Sequence, residues 1–344
     1  MSDKKQNKAD IFAVARRAKV SISTVSRSFN HPELVNPATR KKIDLAVRKL
    51  GYIRNRAAQT IHGIRSGTIG LVVPTIDHAI FAEVIQAFSD SVDEHGFTIL
   101  IASHGYDLER EYSVLRKFFE HRVDGVALVG EDHSAETYDL IERQEIHAVS
   151  LWNYNQASRL SCVGADNEMA GRLAAQHLVD LGHANIGLVF PPTKDNDRAR
   201  DRRNGAQLIL DGVGARTCPE WDIESTYSIA DAKEAATKIL EGQNRPTAIL
   251  CGNDVLAVGV LYAARRCGLQ IPKDLSIIGI GDFKGSGEFE PGLTTVRLPA
   301  REIGRLAGEH LSRSIIGEFE GMRRVNCDIS LVSRGTCARA FQTT

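Results

Sequence analysis

The sequence predicts an α/β protein in two parts: a small helical module at the N-terminus and a larger, two-lobed core built on parallel sheets. Three observations lead there. Before residue 52 the apolar residues recur at helical spacing between capping residues; from residue 68 short apolar strands alternate with amphipathic helices, and the alternation restarts near residue 184; and charge divides along the same line. Residues 1–66 carry 15 Lys/Arg against 4 Asp/Glu, a net +11, so the rest of this formally neutral 344-residue chain is −11. That split fits a basic module that neutralises phosphates, joined to an acidic body that does not adhere to nucleic acid.

In the helical module Ile11, Val14, Ala15 and Ala18 fall at i, i+3, i+4 and i+7, with Asp10 as N-cap. Lys19 and Val20 make a turn. Ser21 then caps a second helix over about residues 22–30, with Val25 and Phe29 inward and Ile22, Ser23, Ser26 and Arg27 outside. Asn36-Pro37 places a cap before a proline at the first helical position, so a third helix runs through Ile43 and Val47 to Leu50 and stops at Gly51. Short polar side chains and an arginine on the outer face of the second helix suit a helix-turn-helix that reads a DNA major groove.

The core opens with strand TIGLVVPTI (68–76), a helix over 81–96, strand FTILIAS (97–103), a helix over 110–122 and strand DGVALVG (124–130). A second series has NIGLVF (185–190), TAILCG (247–252) and LSIIGIGD (275–282) as strands, with helices around 198–211, 231–241 and 253–267. Such alternation means parallel sheets covered on both faces, and two series mean two lobes. In open α/β sheets ligands collect at the carboxyl ends of the strands, so a cleft gathers the residues after Val73, Leu151, Phe190, Gly252 and Ile280. Those positions hold Phe81, Trp152, Asn153, the polar run Asp195 to Arg203, Asn253, Asp254 and Asp282. An indole against a sugar ring, an arginine fork and orienting amides and carboxylates suit a polyhydroxylated ligand. Asn253 and Asp254 also suit capping of the next helix, and Trp152 also suits the core, as the lesser readings; Arg202 is the stronger candidate.

Composition removes several classes. No long uncharged apolar run and no apolar leader stand in the sequence, and MSDKKQNKAD is polar, so a cytoplasmic protein without membrane contact is expected. Cys162, Cys218, Cys251, Cys267, Cys327 and Cys337 include no C-x-x-C pair, and the eleven histidines include no H-E-x-x-H, so no metal or other cofactor is expected. Gly279-Ile280-Gly281 begins a G-x-G-x-x-G, but position 284 is Lys and the turn comes late in the chain; P-loop and G-x-S-x-G patterns are missing. The expectation is therefore not an enzyme.

Val20-Ser21-x-x-Thr24-Val25-Ser26-Arg27-x-x-Asn30, Val35-x-x-x-Thr39-Arg40 and Leu50-Gly51-Tyr52-Ile53-x-Asn55-x-x-Ala58 follow one headpiece pattern closely. Downstream, Arg122-Val123-Asp124-Gly125, His177-Leu178-x-x-Leu181-Gly182-His183, Arg202-x-x-Gly205, Asn253-Asp254, Pro291-x-Leu293-Thr294-Thr295 and Leu331-Val332-x-Arg334 continue it. Over nearly its whole length the chain resembles the lactose-repressor (LacI/GalR) family of bacterial transcription regulators. The resemblance implies a periplasmic-binding-protein-like core and a sequence-specific DNA-binding regulator, expected to be a repressor, controlled by a sugar or sugar-acid effector between the lobes. It implies a headpiece over 1–65 and a core over 66–344, with lobe 1 at about 67–165 and 298–322 and lobe 2 at about 166–297 and 323–344. Ile22, Ser23 and Arg27 would read bases, with Arg27 suited to guanine O6 and N7, while Ser21, Thr24 and Asn30 lie nearer phosphates. Residues 55–63 would form a hinge helix that folds on the operator, with Ile61 wedged into a minor-groove base step and Ala58 beside it. A homodimer on a pseudo-palindromic operator follows, and the absence of a heptad helix after Arg334 argues against a tetramer.

Departures from the family pattern matter too. Lys19 replaces a turn glycine, His78-Ala79-Ile80-Phe81 replaces N-P-F-F, and Gly279-Ile280-Gly281-Asp282 replaces G-[FY]-D-D. The last resembles gluconate-type repressors and points to a sugar acid, with Arg202 pairing its carboxylate; a neutral sugar stays open beside it. The alternative is a solute-binding protein without a transcriptional role, which would need an export signal and no basic headpiece.

Overall fold

The computed structural model describes residues 9–54, 65–77, 79–242 and 244–340, and the chain divides into two compact units between Ser66 and Gly67. The hinge positions Asn55, Ala58 and Ile61 lie outside the described residues.

In the first unit α1 (Ile11–Ala18), α2 (Ile22–Asn30) and α3 (Pro37–Leu50) close on Val14, Ala15, Ala18, Val25, Ile43 and Ala46. The capping chemistry is local. Asp10 accepts from the Ala13 N–H at 2.7 Å, Ser21 from Thr24 at 3.1 Å and Asn36 from Ala38 at 2.9 Å, each satisfying a donor that the helix start leaves open. Lys19 ends α1 at φ +57°, the left-handed conformation that favours glycine, and its N–H returns to Arg16 and Ala15 carbonyls.

The second unit holds two six-stranded sheets. Its first half runs β1 (Thr68–Val73), α4 (Ala79–Glu94), β2 (Thr98–Ser103), α5 (Leu108–Glu120), β3 (Gly125–Val129), α6 (Ala135–Arg143), β4 (His147–Asn153) and β5 (Ser161–Ala165). Next come α7 (Asn167–Asp180), β6 (Ile186–Phe190), α8 (Asp197–Gly212), β7 (Asp222–Glu224), α9 (Ile229–Leu240), β8 (Ala248–Cys251), α10 (Asp254–Arg266), β9 (Ser276–Gly281) and β10 (Thr294–Arg297). The chain finishes with α11 (Ala300–Ile316), β11 (Arg324–Asn326) and β12 (Ser330–Val332). Strand order is β11-β5-β4-β3-β1-β2 in the first sheet, parallel throughout, and β12-β10-β9-β8-β6-β7 in the second, where only β12 is antiparallel. β1 and β3 to β6 are almost wholly buried apolar runs, as strands covered by helices on both faces must be.

The chain passes between lobes after β5, after β10 and between β11 and β12. Residues 324–326, expected in lobe 2, belong to lobe 1: Val325 pairs with Val163 in register and packs on the lobe 1 core, which moves the last crossing to residues 327–329. Trp152 and Asn153 also differ from expectation, forming the last two residues of β4 instead of following it. Trp152 takes φ +81° there, so the strand ends in a conformation that a bulky side chain rarely adopts.

Burial pulls His104, His177, His183 and His310 below the ordinary imidazole range, His310 to about 4 with help from Arg323, His147 and Arg313. His310 stacks edge-on against Phe319 at 4.9 Å and its Nδ1 has no partner among the described residues. A folded-state pKa below the unfolded one means the native state binds fewer protons, so this contribution is whole above about pH 6.5 and is lost as pH falls towards 4. The thermal midpoint should drop on acidification through that window, and His310→Phe should drop less than wild type in parallel calorimetric scans.

Candidate functional site

On the headpiece, the outer face of α2 presents Ile22, Ser23 and Arg27 to solvent. The Arg27 side chain makes no hydrogen bond or ion pair among the described residues, which leaves all its guanidinium donors for a partner. Ser21, Thr24, Ser26 and Asn30 have internal work. The Ser21 hydroxyl caps α2 and lies 2.8 Å from Ser23 Oγ and 2.7 Å from Thr24 Oγ1. Ser26, expected outside, is half-buried and accepts from Asn30 Nδ2 at 3.4 Å, while Asn30 Oδ1 is held by Arg54. Ser26 is thus less exposed than its place on the outer face of α2 suggested, and Asn30 is engaged within the headpiece.

In the core, strand ends of both lobes meet around one cleft. Phe81 and Trp152 are buried in the hydrophobic core and pack edge to face at 5.9 Å. The start of α8 reaches across from lobe 2. Asp197 accepts from the Glu131 N–H at 2.7 Å and from Asn153 Nδ2 at 2.9 Å, and pairs with Arg198 at 2.6 Å. Arg198 also donates to the Val129 carbonyl at 3.3 Å, and Arg200 grips Asp132 with two bonds of 2.7 and 2.8 Å. Burial raises the Asp197 carboxyl, but Arg198, the Asn153 amide and the Glu131 N–H outweigh it and hold the group ionised below the usual range.

Arg202 differs from its neighbours on α8. It is 2% exposed, donates Nε to Asn167 Oδ1 at 2.7 Å and Nη1 to the Gly252 carbonyl at 3.0 Å, and has no ion pair among the described residues. Burial lowers its pKa to about 10. Beside it Asn253 is fully buried; its Oδ1 caps α10 through Leu256 N–H at 2.9 Å, and its Nδ2 has no partner among the described residues. Capping thus occupies the amide oxygen and leaves the amide nitrogen uncommitted among the described residues.

Asp282, expected at the effector site, is engaged by two arginines. Arg297 and Arg334 each pair with it at 2.6 Å, so its charge is spent on lobe 2 itself. Asp254 holds Ser286 and Thr295 at 2.6 Å each, tying α10 to the β9 and β10 ends.

Tyr106 and Tyr227 escaped sequence reasoning, and Asn196 entered it only as part of a polar run. Tyr106 follows β2 in lobe 1, Tyr227 follows β7 in lobe 2, and their rings stack at 5.8 Å and 14° across the cleft mouth. With Asp77, Lys194, Asn196 and Thr226 they line a cavity of about 420 Å³. Asn196 is buried, donates to Pro192 O and Tyr227 Oη at 3.1 Å each, and leaves Oδ1 without a partner among the described residues. β7 is only three residues long, too short for an apolar pattern to flag Tyr227. Asp195 to Arg203 was the legible signal for Asn196.

Known proteins share this arrangement end to end. The family model for bacterial regulatory proteins of the lacI family matches residues 11–55, and a periplasmic binding protein-like domain matches residues 175–337. The HTH-type transcriptional repressor PurR of Aliivibrio fischeri (strain MJ11) is 31% identical over 95% of this chain and 98% of that protein. The chain belongs to the LacI family. Catabolite control protein A of Priestia megaterium is 29% identical to this LacI-family chain, over 88% of it and 91% of the relative. The lac repressor dimer bound to operator and the anti-inducer ONPF superposes with TM-score 0.82 at 25% identity, over 96% and 100% of the two chains. This LacI-family protein is thus a DNA-binding transcriptional repressor regulated by a small-molecule effector, and the relatives are regulators, not enzymes. No helix among its described residues is long and apolar enough to cross a membrane.

Proposed function

We propose that the effector of this LacI-family repressor is a small polyhydroxylated carboxylate, a sugar acid, bound between the lobes with its carboxylate on Arg202. One observation carries the reading. A guanidinium buried this deeply against two neutral acceptors is costly unless an anion joins it. Asn253 Nδ2 and Asn196 Oδ1 offer a free donor and a free acceptor for hydroxyls, and Asn153 offers a link to Asp197 and Asp201. The cleft has a binding role and no catalytic one. A homodimer presents two α2 helices to a pseudo-palindrome, and hinge residues Asn55, Ala58 and Ile61 engage its centre.

Two variants test these assignments separately. Arg202→Met should weaken a sugar acid by about 2–5 kcal/mol, the scale for truncating one partner of a buried charge pair, in calorimetric titrations that leave operator affinity unchanged. A neutral sugar that binds as tightly as its acid would defeat the proposal. Arg27→Ala should cost about 1–3 kcal/mol on the correct operator and relax selection at one base, as read in a gel shift over single-base operator variants.

A further inference from the structure

α1 turns its apolar face, Ile11, Val14, Ala15 and Ala18, into the headpiece core, and Phe12 falls off that face with 56% of its surface exposed. Ile22, the first residue of α2, is 40% exposed. Both line a single open groove with Arg16, Lys19 and Ser21, so two large apolar side chains, one from the start of α1 and one from the start of α2, face the same groove. The surrounding charge has one sign. No carboxylate occurs between Asp10 and Glu33, whereas Arg16, Arg17, Lys19 and Arg27 all do, which calls for a polyanionic partner. Neither Phe nor Ile forms side-chain hydrogen bonds, so neither reads the donor and acceptor pattern of base edges. The apolar group that a major groove offers is the thymine C5-methyl.

We infer that Phe12, with Ile22, is a specificity-determining residue that reads thymine methyl groups, so the operator half-site carries thymine where the start of α1 and the start of α2 enter the groove. This rests on the reading of α2 as the base-reading helix. Arg16 and Lys19 flank the apolar pair and hold the phosphates on either side of it. Arg27, one and a half turns further along α2, reads a different base.

The test uses the full-length protein and a duplex recovered by iterative selection from a random DNA library. Each thymine of the half-site is replaced in turn by uracil, which removes one methyl and keeps the pairing, and binding is followed by fluorescence anisotropy at fixed salt. One or two positions should lose about three- to fivefold in affinity, the equivalent of one methyl withdrawn from apolar contact. Phe12→Ala should bind more weakly and become indifferent to uracil at one of them, with an unchanged thermal midpoint because the residue is exposed. A half-site without thymine at these positions, uracil without effect everywhere, or methyl dependence unaltered in Phe12→Ala would overturn the inference while α2 as reader stands. Failure to recover any duplex would remove the reading of α2 and the inference together.

Discussion

Asp197→Ala is expected to destabilise the core by about 3–5 kcal/mol, because it leaves the Arg198 guanidinium buried without its counter-charge. Three contacts go at once: the 2.6 Å ion pair, the bond from Asn153 Nδ2 and the bond from the Glu131 N–H. Two of these cross between lobes, so closure suffers as well as packing. In urea titrations the midpoint should fall with little change in slope, since the area exposed on unfolding is the same. Asp197→Asn should cost nearly as much, because the amide oxygen still accepts but the charge is gone. The Asp197 carboxyl lies below its ordinary range in the folded state, so its contribution is complete at neutral pH and disappears as pH falls below about 4. A loss under about 1 kcal/mol would mean that the pair is solvated in solution.

Gly205→Ala should destabilise by about 1–3 kcal/mol although alanine is the better helix former by about 1 kcal/mol. A Cβ at Gly205 on α8 overlaps the Glu168 carbonyl of α7, and one at Gly171 on α7 overlaps the Arg202 carbonyl, so the two helices touch backbone to backbone through paired glycines. Carbonyl groups inside helices cannot step aside as a flexible side chain does. The helices must separate, and Arg202 moves with α8 away from Asn167. Effector affinity should fall alongside stability, and a variant more stable than wild type would show that the crossing is looser than this contact implies.

These two sites show where the sequence was readable. Capping residues and periodic apolar runs are local, so Asp10, Ser21 and Asn36-Pro37 marked the three headpiece helices, and alternating strands and helices marked both lobes. Partnerships between distant residues left no such mark. Asp282 looks like any strand-end carboxylate until Arg297 of β10 and Arg334, just beyond β12, take both its oxygens. Asp197 and Arg198 look like an ordinary polar helix start until lobe 1 supplies Val129 and Glu131. β11 is three residues long, and its lobe was decided by pairing with β5. Arg202-x-x-Gly205 was visible as a motif, but its reason, an arginine set one turn from a helix contact that only glycine permits, needed α7 in place.

The most direct measurement of effector-controlled DNA binding is fluorescence anisotropy of a labelled, selected operator duplex with the full-length protein at fixed salt, titrated with sugars and their matching acids, wild type beside Arg202→Met. The predicted result is specific binding whose midpoint one sugar acid shifts by about tenfold or more, corresponding to a coupling of about 1.4 kcal/mol, with no shift in Arg202→Met. Specific binding that a neutral sugar shifts equally in both proteins would contradict the account.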